Sequence, residues 1–390
     1  MDFIPYARQT IDEEDIKSVA EALKQDFITT GPLVERFEEK IARRVGSRFC
    51  VAVSSGTAAL YLAALALLKP GMRVLVTPNT FLATVNAITL AHAEPIFVDI
   101  AQDGNIDLDL CERLLKQDDS IGALFGVHFS GNPLNQDKLA RLKQNYGIIV
   151  VEDCAHALGA VYNSVKSGSC KNSEASIFSF HPVKQITTAE GGAITTNSKE
   201  LRDRLYAMRN SGIVRSGFKN LKLAYDKKGN PNPWYYEMHS FGFNFRISDI
   251  QCALGISQLN KLDQFLRKRH TIARRYHRAF DNDSLIRPLY PYNEGSAYHL
   301  FVVRIDFDSL NITRAEFFEA ARKKGIGLQV HYIPVYAQPF YAQRGATPAC
   351  PNMEEYYSQC VSIPMYPGLL EDQQEYVIET LKRIVQDAKK

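Results

Sequence analysis

The chain has 390 residues, 45% of them hydrophobic and 23% charged, which suits an ordinary globular protein able to bury a large core. Its net charge of +3, with basic residues scattered rather than striped, excludes a nucleic-acid or membrane-surface footprint, so any anionic ligand must be bound locally. No apolar run approaches the ~20 residues needed to span a bilayer, and seven cysteines at irregular spacings, without a CxxC pair or a secretory leader in MDFIPYARQT, lead us to expect reduced thiols and a cytoplasmic protein.

Taken in chain order, the first helix is expected over Ile16 to Lys24, after a capping Asp12, and the second over Pro32 to Val45, with proline in its first turn. A strand follows at Phe49 to Val53. It runs into SSGTAALYL, where a turn of small residues opens a helix over Thr57 to Leu68. Strands at Arg73 to Val76 and Pro95 to Val98 flank a helix over Thr80 to Ala91. Further strands are expected at Ala123 to Val127, Ile148 to Val151, Ala175 to Phe180 and Gly192 to Thr195. This alternation predicts an α/β fold, a mainly parallel sheet sandwiched by helices in a large domain.

Residues 211–240 break the pattern with Gly, Lys, Asn, Pro and Tyr. A loop this long is functional or disordered. The cluster Trp234, Tyr235 and Tyr236 favours function, although aromatics also pin loops to a core. Beyond it, helices are expected over Ile247 to Leu259, Leu262 to Phe280, Arg314 to Lys323 and Asp372 to Ala388, with strands at His299 to Ile305 and Leu328 to Val330. That makes a smaller C-terminal α/β domain, over residues 247–390, after a large domain over residues 1–246.

The chemistry centres on FSFHPVKQITTAEGG, from Phe178 to Gly192. Lys184 sits there among small, hydroxylated and glycine residues rather than among other charges. Burial disfavours the ammonium form and leaves a usable amine for a carbonyl cofactor; the alternative is a lysine snorkelling from a strand edge. Gly56 and Thr57, after Ser55, offer free N–H groups at a helix start, a cup for phosphate, or a plain helix cap. Asp153 ends the apolar strand in GIIVVEDCAHALG with Glu152 and His156 beside it, as a counter-charge for a protonated ring nitrogen or as a helix cap. Phe81, in TPNTFLAT, is a stacking platform or a core residue. Asn244 and Arg246, on an aromatic-rich strand in FGFNFRISDIQCALG ahead of a cap at Ser248, need polar partners, which are an anion or backbone carbonyls. Together a carbonyl-reactive lysine, a phosphate cup, a buried aspartate and a stacking aromatic meet the needs of pyridoxal 5'-phosphate. GxxxxGK[ST], HExxH, GxSxG and zinc-like Cys/His spacings are all missing, so no metal is expected.

SFHPVKQITTAEGG, EDCAHALGA, SSGTAALYLA, ITTGPLVERFEEKIA and FNFRISDIQCALGISQL resemble the DegT/DnrJ/StrS-type aminotransferases, enzymes of pyridoxal-phosphate fold type I that act on nucleotide-linked keto sugars. The resemblance covers essentially the whole chain. FHPVKQITTAEGG, DGNIDLD, PWYYEMHSFGFNFRISDIQCALG and GIGLQVHYIPVY bring it nearest to the pseudaminic acid branch, which aminates C4 of a UDP-linked 4-keto sugar. Some members of that branch carry FHAIK in place of FHPVK, and some have a shorter loop before the GxNxR stretch.

The resemblance implies Lys184 as Schiff-base lysine and proton shuttle, Asp153 on the pyridine nitrogen, Phe81 stacked on the ring and His156 beside the ring hydroxyl. It implies Gly56, Thr57 and Ser179 on the phosphate, with Asn244 reaching it from a second subunit in a homodimer with shared active sites. Tyr6, His331 and Tyr332 would line the sugar pocket, and Arg246 would meet an anionic group. L-glutamate would be the amino donor and a UDP-linked keto sugar the acceptor. Rival readings are a different nucleotide sugar, such as UDP-4-keto-arabinose or a dTDP-linked sugar, and a non-catalytic nucleotide-sugar-binding protein. A related dehydratase, which would carry histidine in place of the lysine, is disfavoured by Lys184.

Overall fold

The computed structural model describes residues 2–344 and 349–389. Helices α1 (Glu13–Ala22) and α2 (Pro32–Val45) lead into β1 (Phe49–Val53), α3 (Gly56–Leu67), β2 (Arg73–Val76), α4 (Leu82–Leu90) and β3 (Glu94–Phe97). Then come α5 (Leu108–Gln117), β4 (Ile121–Val127), α6 (Gln136–Tyr146), β5 (Ile149–Asp153), β6 (Ala175–Ser179), β7 (Gly192–Thr196) and α7 (Lys199–Arg209). The seven strands form one sheet in the order β1-β7-β6-β5-β4-β2-β3. Only β7 runs against its neighbours, β1 and β6, and the remaining pairs are parallel. The carboxyl ends of β1, β2, β5 and β6 therefore share one edge, where ligands bind in open α/β sheets.

Alternation along the strands decides what each face carries. Val51, Val53, Val74, Val76 and Val151 pack with α3, α4 and α7, whereas Leu75, Leu124 and Val150 pack with α5 and α6. Continued to the end of β5, this rule sends Asp153 toward α4 and Glu152 toward α6. Thr84 of α4 does donate to Asp153 at 2.8 Å, and Gln136 of α6 donates to Glu152 at 2.7 Å. Glu152 is a structural carboxylate. Burial pushes its pKa up, but hydrogen bonds from His128, Ser173 and Gln136 outweigh that and hold it below the ordinary value.

Helix α8 (Asp249–Phe280) has 32 residues and leads to a second unit. There β8 (Ile286–Pro288), β9 (Phe301–Ile305) and β10 (Cys360–Ile363) form an antiparallel sheet, accompanied by α9 (Arg314–Lys323), α10 (Pro351–Gln359) and α11 (Glu371–Asp387). Ile4 joins this core, because its N–H donates to Gly325 and its carbonyl accepts from Gly327, both at 2.8 Å.

Three sequence expectations are corrected. Ile247 to Leu259 and Leu262 to Phe280 are one helix, and its polar stretch is a seam with α1: Gln258 donates to Asp15 at 2.7 Å, and Lys261 bridges Asp12 and Asp15 at 2.6 and 2.7 Å. Leu328 to Val330 forms no strand but a single bridge, Gln329 to Ser362. The aromatic-rich stretch holding Asn244 and Arg246 is likewise not a strand. It is tied down by one bridge, Asn210 to Asn244, before Ser248 caps α8 in a reciprocal box with Gln251.

Residues 211–240 fold back on themselves. Ile213–Val214 pairs with Glu237–Met238, and the Glu237 carboxylate accepts from the backbone of Lys219 and Asn220 and from the Tyr235 hydroxyl. The aromatics do not anchor the segment to a core, since Trp234 is 72% exposed. No described helix is long and apolar enough to cross a membrane.

Candidate active site

The carboxyl edge of the sheet gathers groups that lie far apart in sequence. Gly56 starts α3 directly after β1, and Ser179 ends β6 beside it: a Cβ built on Gly56 would fall 2.8 Å from the Ser179 Cβ. The approach is possible because Gly192, which opens the intervening β7, has no side chain. A Cβ there would lie 2.4 Å from the Ser55 carbonyl oxygen. The Ser55 hydroxyl accepts from Ala58 N–H at 3.0 Å, so the sequence alternative of a cap is realised by this residue. The N–H groups of Gly56 and Thr57 find no acceptor among the described residues, and they face outward at the positive end of the helix. Such a cradle suits a phosphate.

Asp153 is 6% exposed and forms no ion pair among the described residues. It does not cap a helix. One carboxylate oxygen accepts from Thr84, whose hydroxyl is in turn 2.8 Å from that of Thr80, and the other accepts from Ala155 N–H at 3.0 Å. A buried carboxylate hydrogen-bonded by neutral donors alone, with no ion pair among the described residues, is well placed for a cationic ligand group.

Lys184 follows β6 in a turn closed by its own N–H on the His181 carbonyl at 2.9 Å. Burial lowers its ammonium pKa to about 8, against the opposing pull of the Asp153 carboxylate. Phe81, at the start of α4, is 59% exposed, so its ring is not core. It lies 6.4 Å from that of Tyr332.

His156 is buried. It accepts at Nδ1 from Ser130 N–H at 3.3 Å, and its Nε2 lies 3.2 Å from the Tyr332 hydroxyl. His331 bonds Ser362 at 2.8 Å, with the Tyr6 ring tilted against it and the Tyr332 ring edge-on, at centroid distances of 5.6 and 4.8 Å. Burial first and the charge of Lys184 second hold His156 well below its ordinary pKa, and hold His331 down at about 3, so both rings are neutral.

Asn244 and Arg246 stand apart from these groups. Asn244 is exposed. Arg246 donates to Asn210 at 2.6 Å and lines a separate cavity of about 630 Å³ with Gly31, Glu38, Arg209 and Arg215. The sequence reading missed Thr84, Ser130 and His299. Thr84 had a readable signal: it sits three residues after Phe81 in TFLAT, one helical turn on and so on the same face.

The chain matches the DegT/DnrJ/EryC1/StrS aminotransferase family over residues 9–382. It is 38% identical to the UDP-4-amino-4,6-dideoxy-N-acetyl-beta-L-altrosamine transaminase of Campylobacter jejuni, over 99% of both chains. Its fold is similar to that of Helicobacter pylori PseC, described as an aminotransferase involved in the biosynthesis of pseudoaminic acid. That match has a TM-score of 0.91 and 29% identity, and it covers 99% of this chain and 100% of the other. Spr1654 of Streptococcus pneumoniae in its PLP form, titled a "putative sugar aminotransferase", matches with a TM-score of 0.87 at 27% identity, over 99% of both chains.

Proposed function

Because this chain belongs to the DegT/DnrJ/EryC1/StrS aminotransferase family, we propose that it moves the amino group of L-glutamate to C4 of a UDP-linked 4-keto-6-deoxy-N-acetylhexosamine. The acceptor would be UDP-2-acetamido-2,6-dideoxy-β-L-arabino-hex-4-ulose, in pseudaminic acid biosynthesis. One observation carries the reading: an amine lowered to about pKa 8 by burial, near a buried carboxylate whose hydrogen bonds come from neutral donors alone.

The cleft fits pyridoxal 5'-phosphate, which when bound supplies a carbonyl for the lysine and a ring that takes up electrons. The N–H groups of Gly56 and Thr57, with the Ser179 hydroxyl, would hold the phosphate. Phe81 would cover the ring and Asp153 would face its nitrogen. His156 would sit beside the ring hydroxyl, and Tyr6, His331 and Tyr332 would line the sugar pocket. Lys184, close to neutrality, is suited to take a proton from the donor's α-carbon and later to deliver one at the sugar's C4.

The test uses the protein loaded with cofactor. L-glutamate should bleach its yellow colour, the UDP-linked keto sugar should restore it, and the amino sugar should form in equal amount. Preferred turnover of a dTDP-linked sugar or of UDP-4-keto-arabinose would overturn the choice of substrate. Failure to bleach would overturn the reaction.

We also propose a homodimer with shared sites, in which Asn244 reaches the partner's phosphate and Arg246 meets an anionic group of substrate or donor. The exposed Trp234, Tyr236, Met238 and Phe241 lie on the segment leading to Asn244 and offer an apolar face for the second copy. Mixing two inactive variants, Lys184→Ala and Asn244→Asp, should restore part of the activity, since mixed dimers hold one intact site. A mixture as inactive as its components would refute the sharing.

A further inference from the structure

The turn Phe129–Gly131 joins the two units of the fold beside the cleft. Ser130 is held there in a left-handed conformation, φ +61. Its N–H points at His156 Nδ1, while its carbonyl oxygen accepts from the N–H of His299 at 2.9 Å. The next residue has to be glycine. Gly131 has φ +95, and a Cβ on it would fall 2.9 Å from the backbone of His156, Tyr298 and His299. From the other side, the guanidinium of Arg269 on α8 donates to the carbonyls of Tyr298, His299 and Met365, each at 3.1 Å. The segment 298–300 is thus fixed from both units, and it delivers the His299 ring to a centroid distance of 4.3 Å from His156. His299 is 2% exposed, and its buried Nδ1 finds no hydrogen-bond partner among the described residues. The two rings are tilted 40° to each other.

Where the proton sits on His156 follows from these contacts. A backbone N–H can only donate, so Nδ1 must present its lone pair, and in a neutral imidazole the proton then resides on Nε2. Nε2–H points at the Tyr332 hydroxyl oxygen, which accepts. The Tyr332 proton is thereby left for another acceptor, and no second partner for that hydroxyl exists among the described residues.

We propose that Ser130 and His299 are positioning residues that fix the His156 proton on Nε2, so that Tyr332 donates its hydroxyl proton into the cleft, to an oxygen of the sugar. The sugar as acceptor rests on the function proposed above, whereas the tautomer does not.

The holoenzyme labelled with nitrogen-15 histidine, one of nine histidines being assigned by its loss in His156→Gln, reports the tautomer directly. The expected result is a neutral His156 protonated on Nε2, both in the wild type and in Tyr332→Phe, because the Ser130 N–H and not the tyrosine sets it. Tyr332→Phe should slow the sugar half-reaction about tenfold and leave the glutamate half-reaction within about twofold. His299→Phe keeps the ring face and should leave the tautomer intact, whereas His299→Ala should mix the tautomers and lower kcat about tenfold with little change in KM. A His156 that is charged, or protonated on Nδ1, in the wild type overturns the proposal even if His299→Ala fails to fold. So does a folded His299→Ala protein with unchanged tautomer and kcat. Loss of aminotransferase activity in the wild type would instead refute the proposed function and leave the tautomer measurable.

Discussion

Lys184→Ala should lower turnover by roughly 10⁴-fold or more, because one amine serves both as attachment point and as proton carrier. Thermal stability should change little by comparison, since the side chain makes no hydrogen bond among the described residues. The ammonium is lowered to about pKa 8 by burial, so the sign of the pH effect is fixed: the neutral, reactive form grows as pH rises through about 8 rather than 10.5. Modification of Lys184 by an amine reagent in the cofactor-free protein, followed against pH, measures this. A midpoint at the ordinary lysine value would show that the desolvation inferred from the structure is absent in solution.

Asp153→Asn is expected to have the second largest effect. The amide is the same shape, although its single oxygen can accept from Thr84 or from Ala155 N–H and not from both, and it cannot remain negative opposite a protonated ring nitrogen. Loss of one preorganised charge of this kind costs about 10²- to 10³-fold. Stopped-flow measurement of the glutamate half-reaction should show that loss, with cofactor affinity changed far less, because the phosphate contacts of Gly56, Thr57 and Ser179 are untouched. A variant that loses cofactor affinity and keeps its half-reaction rate would assign Asp153 to binding alone.

Much of this architecture is legible in the sequence, for local reasons. β1, β2, α2 and α9 fall where apolar period, proline at a helix start and flanking turn residues place them. Asp12 was readable as a cap because a carboxylate ahead of a helical pattern accepts the first free N–H groups, and it does so here. The errors are tertiary. Asn260 and Lys261 resemble a break between two helices, yet Lys261 bridges the buried Asp15 of α1 and its cap Asp12, partners that no local window contains. Leu328 to Val330 is apolar and β-prone, but the neighbouring sheet offers it only the Ser362 position.

The site divides in the same way. Lys184, Asp153, Gly56 and Ser179 sit at element ends whose positions the sequence predicts, and parallel strands bring those ends to one edge. Phe81 was ambiguous in isolation, and its exposure shows that it is not core. His299 could not be found, because its value depends on the left-handed turn at Ser130 and on Arg269, residues far from it in the chain. Asn244 is exposed and Arg246 bonds Asn210 at 2.6 Å, so neither is brought together with the lysine and the aspartate.

The most direct test of the account is to reduce the cofactor-loaded protein with borohydride, which makes the bond between the cofactor and its amine permanent, and to map the labelled peptide. The account predicts a single labelled peptide, with the cofactor on Lys184; label on any other lysine, or no covalent label in a loaded and active protein, would contradict it.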